Sequence, residues 1–461
     1  MGDVNAALGV SKKGGGGLGP LPFKMMIHPS HYLRAYLCSR QPGRLILFST
    51  QNASTILIEK ETFDAMENSA LSPSAEKQLL KLKMITPDKA AEKKAIFNLV
   101  DDLNPKNTGL KITAVLNLDC NFACIYCFEE SVKNRQYMTE QTADHLKRFI
   151  KDKFTPDKQM LVVDFYGGEP LLSLDLIRSI SRDLKAFTKS RNASYGFSLV
   201  TNGSLFTRKT AEELIPLGLQ NVKITIDGPA ITHNRSRPFK SGAGSFNVIA
   251  NNIKATCDLL KIGLGGNFEK QNYKKFPELL DNLKDEGISP DKLYTVKFDP
   301  VVNRPENDIS PTDFTDGCMT LYEPWLYEAE AFLREEILKR GYNTPKPRPM
   351  VCMIETEDSY VVGVDGTLYK CPGFIGQKGF EAGNITTGVI DYSDAYHLGI
   401  WKNPECAECV YLPLCFGGCR YMSYVRDGHI DAVDCRKAYY DAALEMLIKQ
   451  DIWYRQGMDC R

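Results

Sequence analysis

Hydrophobic residues along the middle of this chain alternate between short continuous runs and helical spacing. The continuous runs begin with KITAVLNL at 111–118 and end with LYTVKFDP at 293–300, and they are typical of buried strands. Between them, apolar side chains recur every three or four residues, as in helices with one buried face. The predicted strands are 111–118, 160–166, 195–201, 221–227, 261–268 and 293–300, and the predicted helices are 138–154, 172–187 and stretches near 207–216, 246–260 and 275–286.

Six strand–helix units of this kind predict an α/β fold with parallel strands joined by right-handed crossovers. Because six units are too few for a closed eight-stranded barrel, the pattern predicts an open, partial (β/α)6 barrel at 109–305. Polar or glycine-containing segments lie at or just past the end of each predicted strand, where βα barrels carry their chemistry. These segments are Cys120, GGEP at 167–170, TNG at 201–203, DGP at 227–229, Asn267 and Asp299-Pro300.

The regions on either side of the barrel have different patterns. The glycine run 14–17 predicts a flexible segment over 1–20. The strand-like runs RLILFST and STILIEK, followed by a helix capped by Ser72, predict a small α+β module at 21–108. A helical bridge is predicted at 306–350, and a Cys-rich region follows at 351–461.

Composition narrows the class of protein. Lys+Arg and Asp+Glu both number 57, so no net field favours nucleic acid as a partner. No apolar run approaches the roughly 18 residues that span a membrane, and the N-terminus has no secretory signal core. We therefore expect a cytoplasmic protein with no nucleic-acid partner and no membrane partner.

The 14 cysteines are unevenly distributed. A disulfide framework is not expected in a reducing compartment, and four scattered cysteines are expected to be small buried hydrophobic residues. The other ten lie at 120–127 and 352–435, and clustered thiols of this kind indicate metal. The scattered cysteines are Cys38, Cys257, Cys318 and Cys460.

The first cluster, Cys120, Cys124 and Cys127, has an unusual number of thiols. Three thiolates can hold three irons of a [4Fe–4S] cluster and leave the fourth iron open to substrate or cofactor. A zinc site would need a fourth ligand, and the one histidine nearby in sequence is His145. Buried structural thiols are less consistent with a loop rich in Asn, Glu and Tyr.

This CxxxCxxC pattern, with Tyr126 before the last cysteine and with the downstream GGEP, resembles the radical S-adenosylmethionine (SAM) enzymes over residues 110–305. The resemblance implies that Cys120, Cys124 and Cys127 hold a [4Fe–4S] cluster whose open iron binds SAM. Reductive cleavage of SAM then gives a 5′-deoxyadenosyl radical that abstracts hydrogen from substrate. An electron donor such as flavodoxin or ferredoxin is also implied.

The same resemblance implies roles for residues at the other strand ends. Gly167, Gly168 and Glu169 would receive the amino group of SAM, with a tight turn as the alternative. Four further residues would contact its ribose or carboxylate, with ordinary turn or cap duty as the alternative. These are Asn202, Thr225, Asp227 and Arg237.

The second cluster resembles the SPASM extension of radical SAM enzymes that modify peptides and proteins. It implies two auxiliary [4Fe–4S] clusters and therefore three clusters in total. A zinc ribbon is the alternative, but it would use four cysteines and leave three unexplained. The implied ligands are Cys352, Cys371 and Cys419 for the first auxiliary cluster, and Cys406, Cys409, Cys415 and Cys435 for the second. Seven thiols are one short of eight, so either Cys318 supplies a remote ligand or one iron is open.

The reaction is less constrained. Many sulfatase maturases carry an Asp after the second SPASM cysteine, whereas Pro372 follows Cys371 here. This difference favours an enzyme that forms thioether or carbon–carbon crosslinks in a ribosomally made precursor peptide. The leader of that peptide could bind the 21–108 module, although the module could equally be a structural brace. The alternatives are sulfatase-type oxidation of Cys or Ser, backbone excision or epimerisation, and a non-catalytic iron–sulfur protein that transfers electrons or acts as a scaffold.

Overall fold

The structure is a computed structural model that describes residues 27–127, 135–301 and 323–460. The segment predicted to be flexible at 1–20 and Cys318 lie outside these residues. Helices and strands are numbered below in chain order. Among the residues described, no helix is both long and apolar enough to cross a membrane.

Six consecutive parallel strands form the centre of the fold, in the same order in space as in sequence. They confirm the predicted partial barrel, and three of the six have the predicted bounds. The strands are β6 (Gly109–Val115), β7 (Met160–Tyr166), β8 (Ser194–Thr201), β9 (Leu219–Thr225), β10 (Lys261–Phe268) and β11 (Leu293–Pro300).

Crossover helices cover one face of this sheet, and their ends follow local sequence signals. The side chain of Thr139 accepts a hydrogen bond from the Thr142 amide at 3.0 Å, which satisfies one free donor at the N-terminus of α5. The helices along the barrel are α5 (Glu140–Lys153), α6 (Leu174–Ser190), α7 (Arg208–Leu214), α8 (Ala230–Ser236), α9 (Phe246–Thr256) and α10 (Phe276–Asp285).

The strands have one apolar face and one polar face because successive side chains point in opposite directions. Ile112, Val163 and Val296 are fully buried in the core against the helices. Lys111 and Asp164, on the opposite face, form an ion pair at 2.9 Å and remain partly exposed. The concave side of the partial barrel is therefore lined by polar groups.

The sheet is longer than the sequence pattern predicts. β12 (Ser359–Val362) pairs in parallel with β6, and β13 (Thr367–Tyr369), β14 (Gly383–Asn384) and β15 (Gly388–Val389) continue the sheet antiparallel. These strands are only two to four residues long, too short to leave a clear pattern. They join the start of the Cys-rich region to the first strand of the barrel.

The bridge predicted at 306–350 is helical only in part. Helix α11 covers Pro324–Lys339, but no helix continues through 343–350. Three prolines in this stretch, Pro345, Pro347 and Pro349, lack the backbone N–H that a helix requires. The prediction was therefore wrong for the end of the bridge.

The N-terminal module contains a three-stranded antiparallel sheet in the order β2-β3-β4. Leu47 and Ile58 on one face pack against helices of the same module, as part of one apolar cluster. Phe48 and Leu57 on the other face pack against residues near the C-terminus, including Leu444. The elements are β1 (His28–Pro29), β2 (Leu33–Leu37), β3 (Arg44–Ser49), β4 (Thr55–Glu59), α1 (Lys60–Glu67), α2 (Pro73–Lys81), β5 (Ile85–Thr86), α3 (Lys89–Phe97) and α4 (Leu99–Leu103).

The C-terminal region is mainly helical after the short strands. A long helix, α15, provides the surface on which the N-terminal sheet packs. The helices are α12 (Pro404–Ala407), α13 (Leu412–Cys415), α14 (Arg420–Asp427) and α15 (Lys437–Gln456).

A disulfide joins Cys38 to Cys460 and contradicts the expectation that both are unpaired hydrophobic residues. Both are buried as expected, but docking of the module brings their Cα atoms to 4.4 Å across a sequence separation of 422 residues. No local pattern could have indicated such a pair. Cys257, the third scattered cysteine described, is partly exposed rather than buried.

Candidate active site and cysteine clusters

The loop that carries the first three cysteines follows strand β6 and is held by a neighbouring segment. The amide of Ala123 donates to the Pro238 carbonyl at 2.9 Å, and the amide of Ile125 donates to the Ser236 carbonyl at 3.1 Å. The Phe122 ring packs edge-on against Phe239, with centroids 4.9 Å apart. The backbone of the cysteine loop is therefore fixed to the segment that carries Arg237.

The three thiols of this loop share one environment. Burial raises the pKa of Cys124 to about 11. The positive charge of Arg237 acts to lower this pKa, whereas the charges of Cys127 and Cys120 raise it. Coulombic effects of this kind require short distances. In 27–127, 135–301 and 323–460, no three His, Cys, Asp or Glu side chains are grouped so as to hold a metal ion. The fit to a polynuclear cluster therefore depends on the shared environment of these thiols and on their chemistry.

Asn202 lies beside the first of these cysteines. Its amide nitrogen lies 3.7 Å from Cys120 Sγ and 2.7 Å from Asn121 Oδ1, as hydrogen-bond donor to both. Its amide oxygen accepts hydrogen bonds from the backbone and hydroxyl of Ser204. Asn202 was predicted to contact ribose or carboxylate, and the structure places it against the cysteine loop instead.

The two glycines of GGEP allow the turn after β7 to lie directly against the segment before Cys120. Gly167 has φ of +135°, and a Cβ there would lie 2.3 Å from the Asn117 carbonyl oxygen. A Cβ on Gly168 would lie 2.2 Å from the Asp119 carbonyl oxygen. The close approach that requires glycine is thus an approach to the chain's own backbone.

Glu169 is held by hydrogen bonds within the chain. Its carboxylate is fully buried and accepts hydrogen bonds from the Thr201 hydroxyl and from the amides of Asn202 and Leu171, at 2.8 to 3.0 Å. These hydrogen bonds join the ends of β7 and β8 through Glu169. That the Glu169 carboxylate also meets the cofactor's ammonium stays a prediction.

Tyr126 is the centre of a polar network at the rim of the barrel. Its hydroxyl donates to the carboxylate of Asp227 and accepts from Arg237 Nη1 at 2.8 Å and from Asn267 Nδ2 at 3.0 Å. The backbone N–H of Asn267 also donates to Asp227 Oδ1 at 2.8 Å. Asp227 and Arg237, both predicted site residues, are thus brought together with the cysteine loop.

Arg237 retains an unused hydrogen-bond donor. Its Nε is buried and has no hydrogen-bond partner in the part of the chain that the structure describes. A buried donor without a partner is costly, and a ligand carboxylate would satisfy it. This donor and the three thiols fit a [4Fe–4S] cluster with SAM bound beside it.

His233 and Ser245 support this network from behind. The amide of Asp227 donates to His233 Nδ1 at 3.0 Å, and Nε2 of the same ring lies 3.0 Å from the Ser245 hydroxyl. Burial lowers the pKa of His233 to about 3, so the ring is neutral. These residues were missed at the sequence level, although His233 lies on α8, the helix that follows Asp227, and Ser245 directly precedes α9.

Thr225 faces the concave side of the barrel and is partly exposed. It is in register with Gly265 on β10. A Cβ added at Gly265 would lie 3.0 Å from Lys223 Cε and 3.8 Å from the Thr225 hydroxyl oxygen, so the threonine side chain lies beside Lys223 on this face. Its contact with SAM stays a prediction.

Several of the C-terminal cysteines act by charge on other members of the set to which the resemblance assigns them, and the assignment of the two sets to clusters stays a prediction. Burial raises the pKa of Cys371 to about 12, and the charges of Cys419 and Cys352 add to this shift. Burial also raises the pKa of Cys415 to about 12, with contributions from Cys406 and Cys409. Each thiol is thus influenced by members of its own set.

The second set lines a cavity of about 860 Å³. All four predicted ligands contribute to its wall, together with Tyr411, Arg436 and Lys437. Burial raises the pKa of Cys409, which the nearby Cys435 raises further. Four thiols around one cavity are the donor set that a fully ligated [4Fe–4S] cluster requires. These predicted ligands are Cys406, Cys409, Cys415 and Cys435.

Comparison with known proteins identifies the barrel. Residues 116–283 match the model of the Radical SAM superfamily. The cysteine-type anaerobic sulfatase-maturating enzyme of Clostridium novyi is 24% identical over 388 residues, which span 73% of this chain and 96% of that enzyme. The radical SAM cyclopropyl synthase TigE of Paramaledivibacter caminithermalis is 28% identical over 374 residues, which span 72% of this chain and 73% of TigE.

A solved structure shows the same fold. The structure of anSMEcpe with bound AdoMet and Cp18Cys peptide matches with a TM-score of 0.56 at 17% identity, over 75% of this chain and 97% of that one. Residues 116–283 form a radical SAM domain, and the chain is an enzyme similar to sulfatase maturases and peptide-modifying enzymes whose Cys-rich C-terminus fits a SPASM extension. SAM and a [4Fe–4S] cluster are therefore its cofactors.

Proposed function

We propose that this radical SAM enzyme acts on a ribosomally made peptide and forms a thioether or carbon–carbon crosslink within it. The observation that carries the proposal is the meeting of the cysteine loop, Asp227 and Arg237 at the carboxyl ends of the barrel strands, beside the polar concave face. A non-catalytic electron-transfer centre would not need these polar groups next to the three thiols. A [4Fe–4S] cluster on Cys120, Cys124 and Cys127 would cleave SAM and supply the 5′-deoxyadenosyl radical that abstracts a hydrogen atom.

The chain's own residues orient SAM in this proposal. Arg237, with its unused Nε donor, pairs with the methionyl carboxylate, and Asp227 and Tyr126 fix the position of the guanidinium. The backbone around Gly167 and Gly168 and the carboxylate of Glu169 face the amino group. The hydroxyl of Thr225 faces the ribose from the concave side.

The two C-terminal cysteine sets are proposed to hold two auxiliary clusters. Cys406, Cys409, Cys415 and Cys435 offer a complete set of four thiolates around their cavity. Cys352, Cys371 and Cys419 offer three, so one iron there would be open or would take a remote ligand. With the barrel cluster this makes three [4Fe–4S] clusters.

Sulfatase-type oxidation of a cysteine is the second candidate, because the Clostridium novyi relative is a cysteine-type sulfatase-maturating enzyme. Against it, Pro372 follows Cys371 and begins a short 3-10 helix, so this position offers no carboxylate. Mass spectrometry of a converted peptide separates the two reactions. A crosslink removes two hydrogen atoms and keeps the sulfur, whereas formylglycine formation removes the sulfur. Loss of sulfur from the product would overturn the crosslinking proposal.

We also propose that the N-terminal module binds the leader of the peptide by strand addition. Among the described residues, β4 pairs only with β3, so one edge of Thr55–Glu59 has free backbone groups. The sheet is packed against the C-terminal region on one face, which positions this edge rigidly. Hydrogen exchange should slow at the 55–59 amides when a precursor peptide with its leader is added. Unchanged exchange there would favour the role of a structural brace.

A further inference from the structure

Glu330 is a partly exposed acid that is placed between the barrel and the C-terminal helices. It lies on α11, which packs against both β11 and α15. Its carboxylate accepts a hydrogen bond from the Tyr439 hydroxyl at 2.6 Å. Within the described residues no basic side chain forms an ion pair with it, whereas other acids of the same helix, such as Glu336, do have such partners.

The Glu330 carboxylate is close to the last strand of the barrel. The charges of Lys297 and Asp299 both act on it, and these two residues of β11 are themselves ion-paired and partly exposed. Both lie on the face opposite the buried Val296 and Phe298 and therefore on the concave side. Asp299 is in register with Asn267, whose amide binds Tyr126. Glu330 is therefore next to the strand that adjoins the SAM network.

The remaining groups around Glu330 come from the C-terminal region and from its own helix. Arg436 acts on it by charge, and the charge of Arg436 is in turn influenced by Cys415 and Cys419. The Tyr327 ring packs against the Tyr439 ring at 5.7 Å. Glu330 therefore lies near Arg436, the residue that directly follows Cys435.

A structural role does not explain this placement. The contact between α11 and α15 is already braced by Arg334, which is buried and bonds to Asp451, Gln450 and the Leu447 carbonyl. A desolvated carboxylate without a counter-ion opposes folding. Such a group, beside the polar side chains of β11, is suited to proton transfer.

We propose that Glu330 is the proton acceptor for the peptide substrate, with Tyr439 as the residue that positions it. In this step a heteroatom–hydrogen bond of the peptide breaks, its proton moves to the Glu330 carboxylate, and its electron pair stays on the heteroatom. The inference rests on the proposed peptide-modifying function.

The pH dependence of this step follows from the surroundings of Glu330. Burial raises the pKa of Glu330 above its usual range, and the charge of Asp299 raises it further. The Tyr439 hydrogen bond and the charges of Lys297 and Arg436 lower this pKa in part. Because the carboxylate must be deprotonated to accept a proton, product formation should fall as the pH drops through this raised pKa. Removal of the Tyr439 hydroxyl takes away a hydrogen bond to the ionised carboxylate and should therefore raise the pKa of Glu330 further. The fall in rate on the acid side of the pH profile, the acid limb, should then move to higher pH.

The test uses the full-length reconstituted enzyme and a library of synthetic peptides that each carry one cysteine in a randomised sequence. With the library peptide that wild type converts, Glu330→Gln should reduce the rate of product formation at least about 100-fold. Glu330→Asp should restore part of the rate, and Tyr439→Phe should shift the acid limb upward. Glu328→Gln, at an exposed acid of the same helix, is the matched control.

The outcomes are distinguishable. If Glu330→Gln, with wild-type iron content and melting temperature, converts the peptide at the wild-type rate with the same acid limb, the assignment of Glu330 is overturned. If Glu330→Gln does not fold, an unshifted limb in Tyr439→Phe overturns it instead. If wild type converts no library member, the proposed function itself fails.

Discussion

The hydroxyl of Tyr126 donates a hydrogen bond to the buried carboxylate of Asp227 and thereby joins the cysteine loop to the residue just past the end of strand β9. The same hydroxyl accepts from Arg237 and Asn267, so one side chain fixes three groups at the barrel rim. The aromatic residue before the last cysteine thus has a polar role as well as an apolar one.

Replacement of Tyr126 by phenylalanine should weaken SAM binding. Loss of the hydroxyl leaves Arg237 and Asp227 without a shared partner, and a hydrogen bond to a charged group contributes about 1.5–3 kcal/mol. We expect the dissociation constant for SAM to rise about tenfold or more, measured by calorimetry on the reconstituted protein. Tyr195→Phe, which removes a hydrogen bond to Ser181 outside this network, is the control. Equal affinities in the two variants would contradict the role of Tyr126.

Replacement of Asn202 by alanine should change the redox behaviour of the barrel cluster. The Asn202 amide donates to Cys120 Sγ, and hydrogen bonds to cluster sulfurs influence reduction potentials. Without this donor the reduced cluster is less stable than in the wild type. The reduction potential of the barrel cluster should therefore become more negative in an EPR-monitored titration. Asn252→Ala is a matched control because its amide bonds the Gly203 and Ser204 carbonyls of the same turn without contacting a thiol. An unchanged potential in Asn202→Ala would show that the contact has no electronic effect.

Replacement of Gly168 by alanine should displace the cysteine loop. The new Cβ would lie 2.2 Å from the Asp119 carbonyl oxygen, so the backbone before Cys120 must move. We expect loss of the barrel cluster, seen as a lower iron content after reconstitution. Gly109→Ala places its Cβ no closer than 3.5 Å to any neighbour and should retain the iron. Full iron content in Gly168→Ala would contradict the described packing of the two loops.

The disulfide between the chain ends predicts a thiol count. Apo protein that is purified without reductant and then denatured should titrate twelve of its fourteen cysteines with a thiol reagent. The paired Cys38→Ser, Cys460→Ser variant should also titrate twelve, and its N-terminal module should dock less stably, since removal of a native disulfide costs about 2–5 kcal/mol. Fourteen reactive thiols in the wild type would contradict the disulfide.

Local sequence signals account for most of the barrel. KIGLGGNF and LYTVKFDP are strands with the predicted bounds because a run of apolar residues between turn signals leaves little alternative. Thr139 caps its helix as predicted, since that cap depends only on residues three positions apart. The assignment of the clustered cysteines to separate sets depends on the family resemblance and stays a prediction.

Features that depend on distant parts of the chain could not be predicted from local sequence. Glu169 accepts hydrogen bonds from donors more than 30 residues away at the end of β8, which its motif alone does not indicate. The Cys38–Cys460 pair and the Glu330–Tyr439 hydrogen bond form only after the N-terminal module and helix α15 have docked. Each of these requires tertiary packing that leaves no periodic trace in the sequence.

The most direct test of the central claim is hydrogen transfer during SAM cleavage. The reconstituted, reduced enzyme is incubated with SAM and with a peptide that it converts, in which deuterium replaces the carbon-bound hydrogens. We predict that 5′-deoxyadenosine and methionine form and that deuterium appears in the 5′-deoxyadenosine. In Cys124→Ala, neither product should form, while the iron of the C-terminal sets is retained. Wild-type enzyme that yields no 5′-deoxyadenosine, or yields it without deuterium, would contradict the account.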